Sequence, residues 1–262
     1  MSLWSQRKST VITKENLEAV LDNKVSFLTI EGFLDRKDCE SLNRALSNGK
    51  LGGYDYDFDQ ELTPECEHYM TTHYLFEENS QKEVYFKEAK KSLKQYAELV
   101  KEAGVEAFGQ LQSALRAAGY EVEEAAENGH KYSSAMVRSL IEGASLHPDY
   151  APFLAVDWAI KNIDRQLAWN IYLGMPAKGG ETVVYNKPWI KEDDRFIKGG
   201  SYAYDPEVIA SKERAAIKPK VGDLVIFNSR NFHEVSKGEG GRRWTMGGHL
   251  ATTPEGKILS WV

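Results

Sequence analysis

The stretch VGDLVIFNSRNFHEV, residues 221–235, predicts two consecutive β-strands with a histidine on the second. Its Gly-Asp pair is typical of a turn, and the run at 223–227 is rich in β-branched and aromatic residues, which favour strands. A short loop then leads into a strand at 232–236, which carries His233. We therefore expect the second half of the chain to be built mainly from strands.

The same pattern extends over the whole second half of the chain. After Lys131 the apolar residues alternate with a period of two, and Val, Ile, Tyr, Trp and Thr become frequent. Many short strands separated by Gly and Pro are typical of a jelly roll, whose two sheets enclose a site open at one end. The expected fold class is α+β, mainly β: a double-stranded β-helix, or jelly roll, buttressed by N-terminal helices. Strands are predicted at 132–142, 145–149, 166–173, 180–186, 200–204, 214–218, 223–227, 232–236 and 242–251.

The first half is predicted to be rich in helix. A short strand is expected at 26–30, and Asp35 is placed to cap a helix that ends near Leu46, before an irregular loop at 52–60. Between 80 and 119 apolar residues recur at three and four positions, which is a helical period. Glycines there predict two packed helices with a break near Ala103-Gly104.

Composition predicts one domain and limits the partners. With 262 residues and 42% hydrophobic content, the chain can bury a sizeable core. We expect a single domain over 1–262, with a helix-rich annex at 1–125 and a jelly-roll core at 130–262. A net charge of −6 gives no electrostatic footprint for nucleic acid and no basic membrane patch. The sequence lacks an apolar signal core and any run of about 18–20 apolar residues, so we expect a cytoplasmic protein. The two cysteines, Cys39 and Cys66, are therefore expected to be reduced.

The tripeptide His147-Pro148-Asp149 offers two metal-ligand side chains within three residues. Side chains at i and i+2 of a strand point the same way, so an extended segment brings His147 and Asp149 to one face. Pro148 favours that conformation, because its ring fixes φ and biases the preceding residue away from helix. With His233 added, two imidazoles and one carboxylate leave three coordination positions open, as in non-haem Fe(II) sites that bind a 2-oxo acid and dioxygen.

The segment GRRWTMGGHL, residues 241–250, predicts a further strand that carries a cation. Arg243 and Thr245 share one face of it, so a guanidinium and a hydroxyl could together bind a carboxylate, while Arg242 points outward. Asn170 and Tyr172 likewise share a face of the strand at 166–173. Either could hydrogen-bond a co-substrate or line a pocket, although ordinary strand positions fit the pattern equally well.

These motifs resemble those of the Fe(II)/2-oxoglutarate-dependent oxygenases. Within that class the chain is most similar to the branch that holds the free-standing radical halogenases of indole-alkaloid pathways and the related N-acyl amino acid hydroxylases. The similar stretches are MVRSLIEG at 136–143, QLAWN at 166–170, GGETVVYN at 179–186 through Trp189, RWTMGG at 243–248, and Ser260-Trp261.

The resemblance implies Fe(II) held by His147, Asp149 and His233, with 2-oxoglutarate and O2 as co-substrates and Arg243 paired to the distal carboxylate of 2-oxoglutarate. The halogenases of this branch carry Gly or Ala where this chain has Asp149, because chloride takes that coordination position. Asp149 therefore implies oxygenation, with release of succinate and CO2. The expected reaction is hydroxylation of an aliphatic C–H bond in a small metabolite such as an amino acid, an acylated amino acid or an alkaloid-type compound.

Four further residues are candidates for the substrate pocket. Arg138 could anchor a substrate carboxylate or support another side chain of the site. His249 follows the Gly-Gly pair of the arginine strand and could reach the pocket rim. Trp189 and Trp261 match family positions near the site entrance, although aromatic core packing is equally compatible with them.

Two other classes of function remain open at this stage. A cupin-like metalloenzyme that does not use 2-oxoglutarate would have no need of Arg243. A non-catalytic jelly-roll binding module would use its His and Asp residues structurally and would bind no Fe(II). Desaturation, epimerisation or ring closure would use the same metal centre as hydroxylation, and the sequence makes no prediction of oligomeric state.

Overall fold

Three β-sheets and five α-helices form the regular structure of the residues that the computed structural model describes, which are 4–47, 52–53, 66–76, 81–155 and 157–262. Most of the loop predicted at 52–60 lies outside these residues. The helices are α1 (Lys14–Leu21), α2 (Arg36–Ser47), α3 (Lys82–Ala103), α4 (Ala107–Ala117) and α5 (Ala151–Leu154). The strands are β1 (Arg7–Ser9), β2 (Leu28–Ile30), β3 (Gly52–Gly53), β4 (Glu67–Tyr69), β5 (Val122–Glu124), β6 (Ala126–Glu127), β7 (His130–Lys131), β8 (Met136–Ser139), β9 (Ala144–His147), β10 (Arg165–Gly174), β11 (Thr182–Pro188), β12 (Arg214–Ile217), β13 (Leu224–Asn228), β14 (Asn231–Val235), β15 (Trp244–Thr252) and β16 (Ile258–Trp261).

The fold is mixed α/β, with one large sheet. Its strand order is β1-β2-β13-β10-β15-β8-β4-β3, and β16 pairs with β15 and with β5. A four-stranded sheet has the order β12-β11-β14-β9, and β6 pairs with β7 in a separate hairpin. β9 and β14, which carry His147 and His233, are neighbours in the smaller sheet, and β15, which directly follows Arg243, is central in the larger one.

One face of β10 packs against helices. Trp169 lies in a buried cluster that also holds residues of α1, α2 and α4, and its ring stacks on Phe108 of α4 with centroids 5.8 Å apart. Residues two apart on a strand share a face, so alternate positions of β10 enter the same cluster. They are Leu167, Trp169, Ile171 and Leu173.

The opposite face of β10 looks toward the smaller sheet. Ala168 and Tyr172 share a buried cluster with Val184 of β11 and Ile217 of β12. The two sheets therefore face each other, and polar side chains on this face of the larger sheet point into the space between them.

The helix boundaries follow local signals. The Thr13 side chain accepts a hydrogen bond from the Asn16 N–H, and the Asn16 side chain accepts one from the Thr13 N–H, so both groups cap α1. Asp35 Oδ1 accepts from the Asp38 N–H at the start of α2. The predicted break between two helices is confirmed at Gly104, whose φ of +70° ends α3.

Several predicted strands differ from the structure. The segment at 132–142 contains only the four-residue β8, and the predicted strand at 200–204 is wrong, because that region makes a single bridge between Ile197 and Tyr204. The strand predicted at 145–149 ends at His147, since Pro148 has no N–H to continue the ladder. β1, α1 and β16 were not predicted.

Within the described residues, no helix is both long and apolar enough to cross a membrane. Cys39 and Cys66 are both buried, and burial raises the pKa of the Cys39 thiol to about 11.

Candidate active site

The structure brings His147, Asp149 and His233 together between the two sheets. Their ligand atoms all lie within 4.8 Å of one another. His147 and His233 are direct partners in the β9–β14 register, so their rings project from neighbouring strands of one sheet. Asp149 lies two residues beyond β9, where its N–H donates to the Ser229 carbonyl at 2.8 Å.

Hydrogen bonds fix which ring nitrogen each histidine offers to a metal. Nδ1 of His147 lies 2.6 Å from the Ser145 carbonyl, and Nδ1 of His233 lies 2.9 Å from the Asn231 carbonyl. A carbonyl only accepts, so each Nδ1 carries the hydrogen and each Nε2 keeps its lone pair. The Nε2 atoms of His147 and His233 lie 3.9 and 3.6 Å from the Asp149 carboxylate oxygens.

The electrostatics of the three groups suit a cation. Burial and the nearby His233 together lower the pKa of His147 to about 4, although Asp149 opposes the shift. Burial raises the pKa of Asp149, but the close approach of the His233 and His147 imidazoles outweighs burial and holds this pKa below its usual range. At neutral pH His147 is therefore neutral and Asp149 is ionised, as metal ligation requires.

The donor set fits Fe(II). Two imidazole Nε2 atoms and one carboxylate, converging from the same side, form the facial arrangement of non-haem iron oxygenases. Each imidazole is also oriented through its other nitrogen, which is a regular feature of metal-bound histidines. His147, Asp149 and His233 are thus residues that could hold Fe(II).

Arg243 lies just before β15, and its side chain is directed between the sheets. The residue is 2% exposed, and its guanidinium donates from Nη2 to Tyr172 Oη at 3.1 Å and to Thr182 Oγ1 at 3.0 Å. Nε donates to the Gly180 carbonyl at 3.2 Å. No carboxylate among the described residues forms a salt bridge with Arg243, and a buried cation with only neutral partners favours binding of an anion.

The position of Arg243 relative to the histidines follows from strand register. Its partner Thr182 lies on β11, two residues before Val184, and Val184 pairs with His233. Two residues of a strand span about 7 Å, so the Arg243 guanidinium and the two histidines are neighbours on the inner faces of the sheets. This separation suits a small diacid that reaches from the metal to the guanidinium.

The other predicted co-substrate residues lie on the same inner face. Thr245 is fully buried on β15 and pairs in register with Tyr172 on one side and Arg138 on the other. Asn170 is 6% exposed, and its side chain lies close to Gly247 of the neighbouring strand. A Cβ atom added to Gly247 would lie only 2.7 Å from Asn170 Oδ1. The outward position predicted for Arg242 is confirmed, since this arginine is half-exposed and pairs with Glu67.

Of the substrate candidates, Arg138 and His249 lie near the metal ligands. Trp261 lies against His249, and Trp189 lies elsewhere. Arg138 is near enough for its charge to lower the pKa of both His147 and His249. His249 and Trp261 are buried register partners on β15 and β16, with rings 5.6 Å apart. The structure does not bring Trp189 to the site, because this residue packs on the outer face of the smaller sheet, where its ring stacks on Phe153.

Sequence reasoning missed three residues near the metal ligands. Tyr202 packs edge-on against the His147 ring, with centroids 5.0 Å apart. The Tyr74 hydroxyl lies 3.2 Å from His249 Nε2. Gln166 is 1% exposed and contacts the segment that carries Asp149. No pattern identified Tyr74, which lies outside the predicted strands, or Tyr202, which lies in the segment 200–204 that was wrongly predicted as a strand. Gln166, by contrast, shares its strand face with Asn170.

Sequence comparison shows relatives along nearly the whole chain. Residues 6–261 match the family model described as carrier-protein-independent halogenase WelO5. Leucinostatins biosynthesis cluster protein S of Purpureocillium lilacinum is 36% identical over 200 residues, which cover 71% of this chain and 82% of that protein. L-gamma-glutamyl-L-propargylglycine hydroxylase of Streptantibioticus cattleyicolor is 32% identical over 102 residues, which cover 38% of this chain and 37% of that enzyme.

Solved structures share the fold. An N-substituted L-amino acid dioxygenase from Burkholderia ambifaria AMMD superposes with a TM-score of 0.61 at 15% identity, covering 95% of this chain and 92% of its own. HygX from Streptomyces hygroscopicus, with nickel and 2-oxoglutarate bound, gives a TM-score of 0.52 at 15% identity, covering 96% of each chain.

The family match and the metal-ligand site thus define an Fe(II)- and 2-oxoglutarate-dependent oxygenase, with Fe(II) as its metal and 2-oxoglutarate and O2 as co-substrates. Within this class, the chain belongs to the family of the carrier-protein-independent halogenase WelO5.

Proposed function

We propose that this enzyme hydroxylates an aliphatic C–H bond of a small metabolite, with Fe(II) on His147, Asp149 and His233 and the distal carboxylate of 2-oxoglutarate on Arg243. The observation that carries this proposal is a buried guanidinium that has only neutral partners among the described residues and lies close to three converging metal-ligand atoms. Iron, when bound, supplies the oxidative decarboxylation of 2-oxoglutarate to succinate and CO2 and the transfer of oxygen to substrate.

The protein's own residues bind, orient and exclude water. The carbonyls of Ser145 and Asn231 hold the two imidazoles in the tautomer that presents Nε2. Arg243 offers a forked donor to a carboxylate and is itself held by the Tyr172 and Thr182 hydroxyls. The surrounding sheet faces are buried, so charge interactions at this site are stronger than they are in water.

We propose hydroxylation and not halogenation because of Asp149. Its carboxylate takes the coordination position that chloride needs, and its low pKa keeps it ionised and available to the metal. Halogenation would require a small neutral residue there.

The substrate is proposed to carry a free carboxylate. The hydroxylase relative acts on L-gamma-glutamyl-L-propargylglycine, and the dioxygenase of similar fold acts on N-substituted L-amino acids, both of which are carboxylates. Arg138 lies on the same sheet face as Arg243 and would bind this group. His249 and Trp261 would line the pocket wall, and Trp189 would act only indirectly, through packing.

The architecture is proposed to be a double-stranded β-helix, or jelly roll, in one domain over 1–262. The facing sheets and their shared cluster at Ala168, Tyr172 and Val184 support this topology. The helices at 1–125 would buttress the larger sheet, as the packing of α1, α2 and α4 residues against β10 suggests.

The test is an anaerobic titration of the apo-protein with Fe(II) and 2-oxoglutarate, with the weak visible metal-to-ligand charge-transfer band as the readout. The wild type is expected to develop the band. Asp149→Ala should weaken metal binding. Arg243→Ala should raise the 2-oxoglutarate concentration that gives half of the full band by about 30-fold or more, because losing a buried charged partner costs about 2 kcal/mol or more.

Arg242→Ala is the matched control, because Arg242 is the neighbouring arginine but is half-exposed and paired with Glu67. It should titrate like the wild type. Bound metal without a band would instead support a cupin-like enzyme that does not use 2-oxoglutarate, and a failure to bind metal would contradict the enzyme assignment.

A further inference from the structure

Gln166 forms a two-point contact with the segment that carries the carboxylate ligand. Its Oε1 accepts from the Ala151 N–H at 2.8 Å, and its Nε2 donates to the Asp149 carbonyl at 3.1 Å. Because Asp149 lies beyond the end of β9, strand hydrogen bonds do not fix it on both sides. Gln166 therefore spans Asp149 and Ala151 from the opposite sheet.

The orientation of the Gln166 amide follows from its partners. A backbone N–H can only donate and a carbonyl can only accept, so the oxygen must face Ala151 and the nitrogen must face Asp149. The Gln166 Nε2 also lies 3.3 Å from His249 Nδ1. His249 Nδ1 then accepts, which leaves its Nε2 to donate to Tyr74 Oη, 3.2 Å away.

We propose that Gln166 is a positioning residue, whose amide holds the Asp149 carboxylate in place for the metal and links it to the wall formed by His249 and Tyr74. This inference rests on the proposed iron site. Gln166 is 1% exposed, so water does not compete for its hydrogen bonds. Residues that orient metal ligands in this way typically change metal affinity about 10- to 100-fold when they are replaced.

The test is Gln166→Met, which keeps the length and volume of the side chain and removes both hydrogen bonds to the ligand segment. We would titrate the apo-protein with Co(II) and follow its visible ligand-field absorption, which reports both affinity and coordination number. The dissociation constant for Co(II) is expected to rise at least tenfold, with a changed band intensity as the Asp149 carboxylate loses its fixed position. Gln166→Leu serves as a second variant if Gln166→Met is poorly folded.

Asn16 provides a matched control far from the site. It is also a buried carboxamide that accepts from one backbone N–H, that of Thr13, and donates to one carbonyl, that of Val11. Asn16→Leu should lower the thermal midpoint and leave Co(II) affinity within twofold of the wild type.

Two outcomes would overturn the proposal. One is wild-type Co(II) affinity and spectrum in a folded Gln166→Met protein, and the other is an equal loss of affinity in Asn16→Leu, which would mean that metal binding follows stability alone. Failure of the proposed function is distinguishable in the wild type. A protein without a metal site would bind no Co(II), and a cupin-like enzyme would bind Co(II) but give no charge-transfer band with Fe(II) and 2-oxoglutarate.

Discussion

At the residue scale, the environment of Arg243 explains how a cation is kept in the interior. The Tyr172 hydroxyl accepts a hydrogen bond from the guanidinium and lies 3.0 Å from Thr182 Oγ1. The guanidinium also donates to Thr182 Oγ1, so the guanidinium and the two hydroxyls form one hydrogen-bonded cluster. The guanidinium also lies over the Tyr172 ring, with Cζ 5.0 Å from its centroid. Burial lowers the pKa of Arg243, but the shift starts from so high a value that the group stays charged at neutral pH.

Tyr172→Phe keeps the ring beneath the guanidinium and removes only the hydroxyl. A hydrogen bond to a charged group is worth about 1.5–3 kcal/mol, so the dissociation constant for 2-oxoglutarate should rise about tenfold or more. The measurement is a 2-oxoglutarate titration of the Fe(II)-loaded protein under anaerobic conditions.

Tyr185→Phe is the control for this substitution. The Tyr185 hydroxyl donates to Glu234 on the outer face of the smaller sheet, and the same atom is removed there. Its 2-oxoglutarate affinity should equal that of the wild type, and an equal loss in both variants would contradict a specific role for Tyr172.

At the scale of elements, β15 passes unusually close to β10. A Cβ on Gly247 would lie 2.7 Å from both the Trp169 carbonyl and Asn170 Oδ1, and the carbonyl is backbone that cannot rotate away. The strand pair therefore requires glycine at 247, and the residue opposite, Asn170, gains room for its amide.

Gly247→Ala should lower the free energy of unfolding by about 1–3 kcal/mol, because overpacking in a closed strand pair forces the backbone apart. Urea denaturation of the apo-protein measures this change. Gly199→Ala, where an added Cβ meets nothing within 4 Å, should stay within about 0.5 kcal/mol of the wild type. Equal stability of the two variants would show that β15 can move.

Strand periodicity predicted the inner and outer faces of β10 and β15, because alternation reports directly which side chains share a face. It placed Arg243 inward and Arg242 outward, and it brought His147 and Asp149 together by their i, i+2 spacing. It could not predict β16, whose pairing with β15 and β5 depends on distant segments. Strand periodicity also could not predict the hydrogen bonds of Gln166, because their partners lie 15 and 17 residues earlier in the chain.

At the scale of the whole molecule, the binding groups come from different sheets. His147 and His233 belong to the smaller sheet, and Arg243 adjoins a central strand of the larger one. A ligand that reaches from the metal to Arg243 therefore ties the two sheets together. Such a ligand binds only the folded protein and stabilises it by mass action.

Metal and 2-oxoglutarate together should therefore raise the thermal midpoint more than either one alone. With free ligand at about 100 times its dissociation constant, the stabilisation is about 2.7 kcal/mol. Thermal unfolding with Ni(II), with 2-oxoglutarate and with both measures this, and EDTA should reverse it. Arg243→Ala should keep the Ni(II) shift and lose the extra shift from 2-oxoglutarate, and a full combined shift in this variant would contradict the bridging role.

The two histidines proposed as metal ligands are each oriented by a carbonyl group of their own strand, two residues upstream. The backbone of every amino acid supplies such a carbonyl, so the hydrogen bond to His147 does not depend on the side chain at position 145. Mutations at this position can reshape the neighbouring pocket while the imidazole keeps its tautomer. The iron centre can therefore be inherited unchanged while substrate preference diverges around it.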